Sequence, residues 1–166
     1  MDFAADDLAL LILRLTVAYV YLHGAWMISR NETVRARTVT RTSVLLDNTP
    51  FENNQAVARI IAYSGVLCMY LGSMGLIFGF QTKIAAFLLF LFTVPGIVVH
   101  LKERDQALDL VASLDGTNDP ELVEQLKAST YAGHQSSANK NYALLGAALF
   151  LLLSSDPNGA YAIGAL

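Results

Sequence analysis

Ile60-Ile61-Ala62-Tyr63-Ser64-Gly65-Val66-Leu67-Cys68-Met69-Tyr70-Leu71-Gly72-Ser73-Met74-Gly75-Leu76-Ile77-Phe78-Gly79-Phe80 is a run of 21 residues with no Asp, Glu, Lys, Arg or His. As a helix rising about 1.5 Å per residue it is roughly 31 Å long, the thickness of a bilayer's hydrocarbon core. The run reads as a membrane span. Gly65, Cys68, Gly72, Gly75 and Gly79 recur at spacings of three and four, which gathers five small residues into one seam along the helix. In lipid, apolar burial gains little between helices, so close backbone approach along such a seam is what holds two of them together.

Further spans flank this one. Residues 8–29 form an apolar stretch of 22 residues, interrupted by Arg14 and His23 and carrying Trp26 near its far end, where an aromatic suits the membrane interface. After Phe80 only Gln81-Thr82-Lys83 precede the next apolar run, 84–101 with His100 included, so these two spans form a tight antiparallel hairpin. Pro95-Gly96 should kink or loosen that helix near its exit. The last run, Tyr142 to Leu153, reaches a spanning length of 18 residues only when extended to 138–155. Asp156-Pro157-Asn158-Gly159 stops it.

Two polar segments separate the spans. Residues 30–57 carry Arg30, Arg35, Arg37 and Arg41 among threonines and read as a loop with at most a turn of interfacial helix. Thr49-Pro50-Phe51-Glu52, with hydroxyl cap, proline and Glu in order, is expected to begin the next helix. Residues 102–137 read as a second loop holding two short amphipathic helices, one with Ala107, Leu108, Val111 and Leu114, the other starting at Asp119-Pro120-Glu121 with Leu122, Val123 and Leu126. The fold class expected is therefore all-α: a single domain, 1–166, built as a four-transmembrane-helix bundle with spans near 8–29, 58–80, 84–101 and 138–155.

Composition agrees with this reading and excludes others. Of the 166 residues 54% are apolar, and the mean hydropathy is +0.45, high for a water-soluble domain. A net charge of −3 offers no basic surface for nucleic acid. Cys68, the one cysteine, rules out an intrachain disulfide, a paired-thiol redox centre or a thiolate cluster. The acidic start, with Asp2, Asp6 and Asp7, is unlike the basic head of a signal peptide. Nine of the eleven basic residues, Arg30, Arg35, Arg37, Arg41, Arg59, Lys102, Arg104, Lys127 and Lys140, fall on one side of a four-span topology; Lys83 falls on the other and Arg14 within a span. That bias puts both long polar segments in the cytoplasm and both termini outside.

An ionisable residue inside a span is costly enough to be a functional candidate. Arg14 lies in the outer half of the first span, where it either snorkels, pairs with Asp156 to pin the first helix to the fourth, or faces an anionic lipid, a quinone carbonyl or another subunit. Thr16, Tyr19 and His23 share a stripe on the opposite face, with Met27 a turn further. His23 and His100 both sit toward the cytoplasmic side and are the candidate ligands or proton carriers, too few to argue for haem or a pigment. His134 stands among Gln135-Ser136-Ser137 and reads as solvated. No acidic residue occurs between Glu52 and Glu103, and no nucleophile elbow, phosphate loop or metal-binding motif is present.

The chain resembles the DoxX family of small four-helix membrane proteins. The matching pieces are Leu11-Ile12-Leu13-Arg14-Leu15 with His23-Gly24, then Gly79-Phe80-Gln81-Thr82-Lys83-Ile84-Ala85-Ala86, then Asn141-Tyr142-Ala143-Leu144-Leu145-Gly146. The resemblance implies a bacterial or archaeal inner-membrane protein that serves as an accessory, non-catalytic subunit of a larger redox complex, in contact with lipid or quinone. Related DoxD proteins are a subunit of a thiosulfate:quinone oxidoreductase, and other members are tied to methylamine dehydrogenase maturation or oxidative-stress complexes. It therefore also admits a quinone-linked small-substrate oxidoreductase subunit or a membrane assembly factor. Arg14 and His23 are the positions it carries over, with Tyr19 and His100 as further cofactor-binding candidates. Cys68 and Met69 stand where an acidic residue is common in the family, which speaks against independent quinone chemistry.

Overall fold

The computed structural model describes residues 5–113, 120–154 and 156–157. The elements are α1 (Ala5–Arg30), α2 (Glu32–Ser43), a single 3₁₀ turn (Val44–Leu46), α3 (Gln55–Phe78), α4 (Thr82–Ala112) and α5 (Pro120–Leu153). No strand occurs among the described residues. Helices α1, α3 and α4 are each long and apolar enough to cross a membrane.

Burial shows what surrounds them. In the most apolar windows of α1, α3 and α4 only 28%, 28% and 33% of residues are buried within the chain, while Ile12, Leu67, Leu71, Phe87 and Leu91 face outward. Water would not tolerate so much outward apolar surface, and hydrocarbon accommodates it. The interior joins small residues to a few large ones: Ala18, Ala25, Ala58, Ala86, Ala138 and Ala148 are fully buried beside Leu76, Leu89 and Leu151.

Helices α3 and α4 approach closely along the glycine seam. A Cβ on Gly72 would come within 2.6 Å of the Leu89 side chain and 2.9 Å of the Ala85 carbonyl oxygen; one on Gly75 would come within 2.7 Å of the Ala85 Cβ. Gly65 lies against the Phe92 ring in the same way, at 3.0 Å. Gly79 has a different task. At φ 63° it ends α3 in the left-handed conformation, its N–H reaching the Leu76 carbonyl (3.3 Å) and the Phe80 N–H that of Gly75 (3.0 Å), which leaves Gln81 at φ 49° to start the return. Helix α1 packs chiefly on α3, α3 on α4 and α5 on α4, while α1 and α5 barely touch.

Three expectations for the polar segments are corrected. The first segment is mostly helix: Asn31 caps α2, its Oδ1 accepting from the Val34 N–H (3.1 Å). The threonines that suggested a loop turn inward on their own helix, Thr38, Thr40 and Thr42 each donating to the carbonyl four residues back. Next, α3 begins at Gln55 and not at the Thr49-Pro50 signature. Thr49 forms a turn there, and Asn54 supplies the cap by accepting from the Ala56 and Val57 N–H groups.

The third correction is the largest. Among the described residues of 102–137, the two stretches expected as short helices are parts of longer ones. Helix α4 runs on past His100 to Ala112, and one helix, α5, runs from Pro120 to Leu153. No Gly or Pro follows Gly96 before Ala112, and Leu101-Lys102-Glu103-Arg104 are good helix formers, so nothing ends α4 at the membrane edge. Leu114 and Asp119 lie outside the described residues.

Candidate functional site

The two faces predicted for α1 are resolved into inside and outside. Arg14 is fully buried, and its Nε donates to the Leu76 carbonyl oxygen (3.0 Å), the same atom the Gly79 N–H reaches. The guanidinium thus sits on the C-terminal end of α3, where unsatisfied carbonyls concentrate negative partial charge. It ties α1 to α3 and is not presented to lipid. Asp156 lies exposed beyond α5. Tyr19 (68% exposed) and His23 face outward, their rings stacked at 5.9 Å.

The opposite end of the bundle holds more chemistry. Helix α2 and the 3₁₀ turn lie across α4 there, fixed by the Arg41 Nε–Glu103 Oε1 pair (3.0 Å), by Lys102 Nζ donating to the Val44 carbonyl (3.0 Å) and by Gln106 donating to Asp47 (3.3 Å). Beneath α2 a cavity of about 420 Å³ opens between α3 and α4. Because α3 and α4 are antiparallel, Arg41, Thr42 and His100 mark its polar end, and Cys68, Leu91 and Phe92 its apolar depth. Pro95 and Gly96 form part of its wall. Such a volume is within the range of small-molecule sites.

Beside the polar end, Glu103 lies between two imidazoles. His100 Nδ1 is 3.8 Å and His134 Nδ1 3.7 Å from Glu103 Oε2, and the two rings are 6.4 Å apart between centroids. His134 is therefore corrected from a solvated loop residue to a half-buried side chain on α5, pressed against α4. His100 meets His134 there, while His23 faces outward from α1. Arg104 braces the same crossing, Nη1 donating to Gln135 Oε1 (2.9 Å) and Nη2 pairing with Asp105 (2.7 Å).

The sequence reading missed Glu103, His134 and Arg41. Their signal was present in part, since His100 and Glu103 are three residues apart and share a helix face as soon as α4 is continued past the membrane edge. Ending that helix at Leu101 hid the pair. His134 carried no local signal, because only the full length of α5 brings it opposite.

A DoxX family model matches residues 9–101, more than half of the chain. The match takes in α1, α2, α3 and α4 as far as Leu101, and leaves Glu103 and all of α5 beyond it. No curated protein and no solved structure matches.

Proposed function

This chain belongs to the DoxX family of membrane proteins, and from that premise we propose that it is an accessory subunit of a membrane redox complex that holds a quinone or lipid amphiphile under α2. The observation that carries the reading is the 420 Å³ cavity with cationic and imidazole groups at one end and apolar side chains at the other. A carbonyl or anionic head group suits Arg41, Thr42 and His100, and an apolar tail suits the depth between Cys68 and Leu91. The amphiphile is thereby assigned to the α2 end of the bundle, away from Arg14.

In this reading the C-terminal half of α5, 138–153, is the fourth span, and the positively charged α2 end faces the cytoplasm with both termini outside. Tyr19, His23 and Met27 face the surrounding lipid or a neighbouring subunit. The chain supplies position and packing, and the partner subunits supply electron carriers.

Protein released from its own membranes in mild detergent and sprayed intact into a mass spectrometer should carry one amphiphile per chain and travel with cofactor-bearing subunits. A bare, solitary chain would overturn the proposal. Turnover of a small substrate with quinone by the isolated chain would favour instead the oxidoreductase-subunit reading, which the same cavity could serve.

A further inference from the structure

We propose that His100, Glu103 and His134 form a binding site for a divalent transition-metal ion of the zinc class, set at the crossing of α4 and α5. Each residue offers one ligand atom, and the three atoms lie within 4.8 Å of one another. In tetrahedral coordination with bonds of about 2.0–2.1 Å, neighbouring ligand atoms are roughly 3.3 Å apart. The separations to Glu103 Oε2, 3.8 and 3.7 Å, need only small side-chain adjustments to reach that.

A second observation points to a ligand. His100 Nδ1 and Glu103 Oε2 are both buried, and neither has a hydrogen-bond partner among the described residues. Buried polar atoms without partners are uncommon because nothing then repays their desolvation. Here two such atoms face the same point, with His134 Nδ1 beside it. At 3.7–3.8 Å the contacts are too long for hydrogen bonds, so the imidazoles do not satisfy the carboxylate by themselves. A cation between them would satisfy all three.

The surroundings have the form a ligand set needs. Arg41 takes Glu103 Oε1, which fixes the carboxylate and leaves Oε2 free to coordinate, as an outer partner does for a ligating group. Two nitrogens and one oxygen favour zinc-like ions over calcium or magnesium, which prefer all-oxygen shells. Three protein ligands leave a fourth position open, as in catalytic zinc sites. Lys140 bears on His100 from α5, and Arg41 is close by, while Arg104 is balanced by Asp105.

The inference stands apart from the amphiphile reading, because it concerns the Glu103 side of His100 and can fail or hold with the cavity empty. It is tested on the full chain in detergent micelles. Added Co²⁺ should give the intense visible bands of a tetrahedral site at one equivalent, and Zn²⁺ should abolish them. His134→Ala and Glu103→Gln should each weaken Co²⁺ binding at least tenfold, whereas His23→Ala should bind like the parent. On the unaltered protein, where no variant has to fold, Zn²⁺ should slow diethyl pyrocarbonate modification of His100 and His134 at least fivefold and leave His23 unaffected. Absence of the Co²⁺ bands, or equal modification of His100 and His134 with and without Zn²⁺, would overturn the site.

Discussion

Arg14 shows how a single side chain can be legible in its importance and not in its role. A charged residue at that depth had to be accommodated by something, and the sequence supplied Asp156, lipid and snorkelling as answers. In the structure its Nε reaches a backbone carbonyl, that of Leu76, which no side-chain inventory can nominate. Replacing Arg14 with Met should lower stability by about 2 kcal/mol, the usual cost of a lost charge-assisted bond. A thermal melt of the purified variant measures it, and an unchanged midpoint would remove the α1–α3 tie. Tyr21 offers a smaller case. Thr93 gives its hydroxyl proton to the Leu89 carbonyl (2.6 Å), so it accepts from the Tyr21 hydroxyl, and Tyr21→Phe should cost about 1 kcal/mol in the same assay. Gly72, by contrast, was readable from spacing alone. With Leu89 at 2.6 Å and backbone oxygen at 2.9 Å from a Cβ, Gly72→Leu should destabilise by about 3 kcal/mol or disperse the bundle on extraction.

Between residues and whole molecule, the elements divide by whether apolar periodicity governs them. The centres of α1, α3 and α4 were visible because an uncharged run of that length has few alternatives. The polar elements were obscured for two different physical reasons. In α2, hydroxyl groups that usually favour turns bond back to their own helix, so a segment rich in Thr and Arg forms twelve helical residues. In α4 and α5 the helix continues where the hydropathy changes, because a change from apolar to polar side chains does not by itself break the backbone hydrogen bonds. The 31 and 34 residues of these helices are about 46 and 51 Å long, well beyond a hydrocarbon core of roughly 30 Å. A helical hairpin should thus project from the bilayer. Backbone amides of 103–112 and 120–135 are expected to exchange with deuterium at least tenfold more slowly than an unstructured chain, yet faster than those of 84–99. Exchange at the unstructured rate would restore the loop.

For the molecule as a whole, the outward apolar surface and the alanine-rich interior describe a protein whose solvent is lipid over most of its length. That much followed from Ile60–Phe80. The cavity did not, because its walls come from α2, α3 and α4 at once and its polar end depends on the Arg41–Glu103 pair that seats α2. The chain's single cysteine happens to lie in that wall and is a free thiol, which makes the amphiphile proposal directly measurable. The decisive measurement is the rate at which a small methanethiosulfonate reagent modifies Cys68 in the detergent-solubilised protein, with and without a short-chain ubiquinone analogue or a short-chain phospholipid. The account predicts saturable protection, at least fivefold, by one of the two amphiphiles; a thiol that reacts at the same rate whatever amphiphile is added would contradict it.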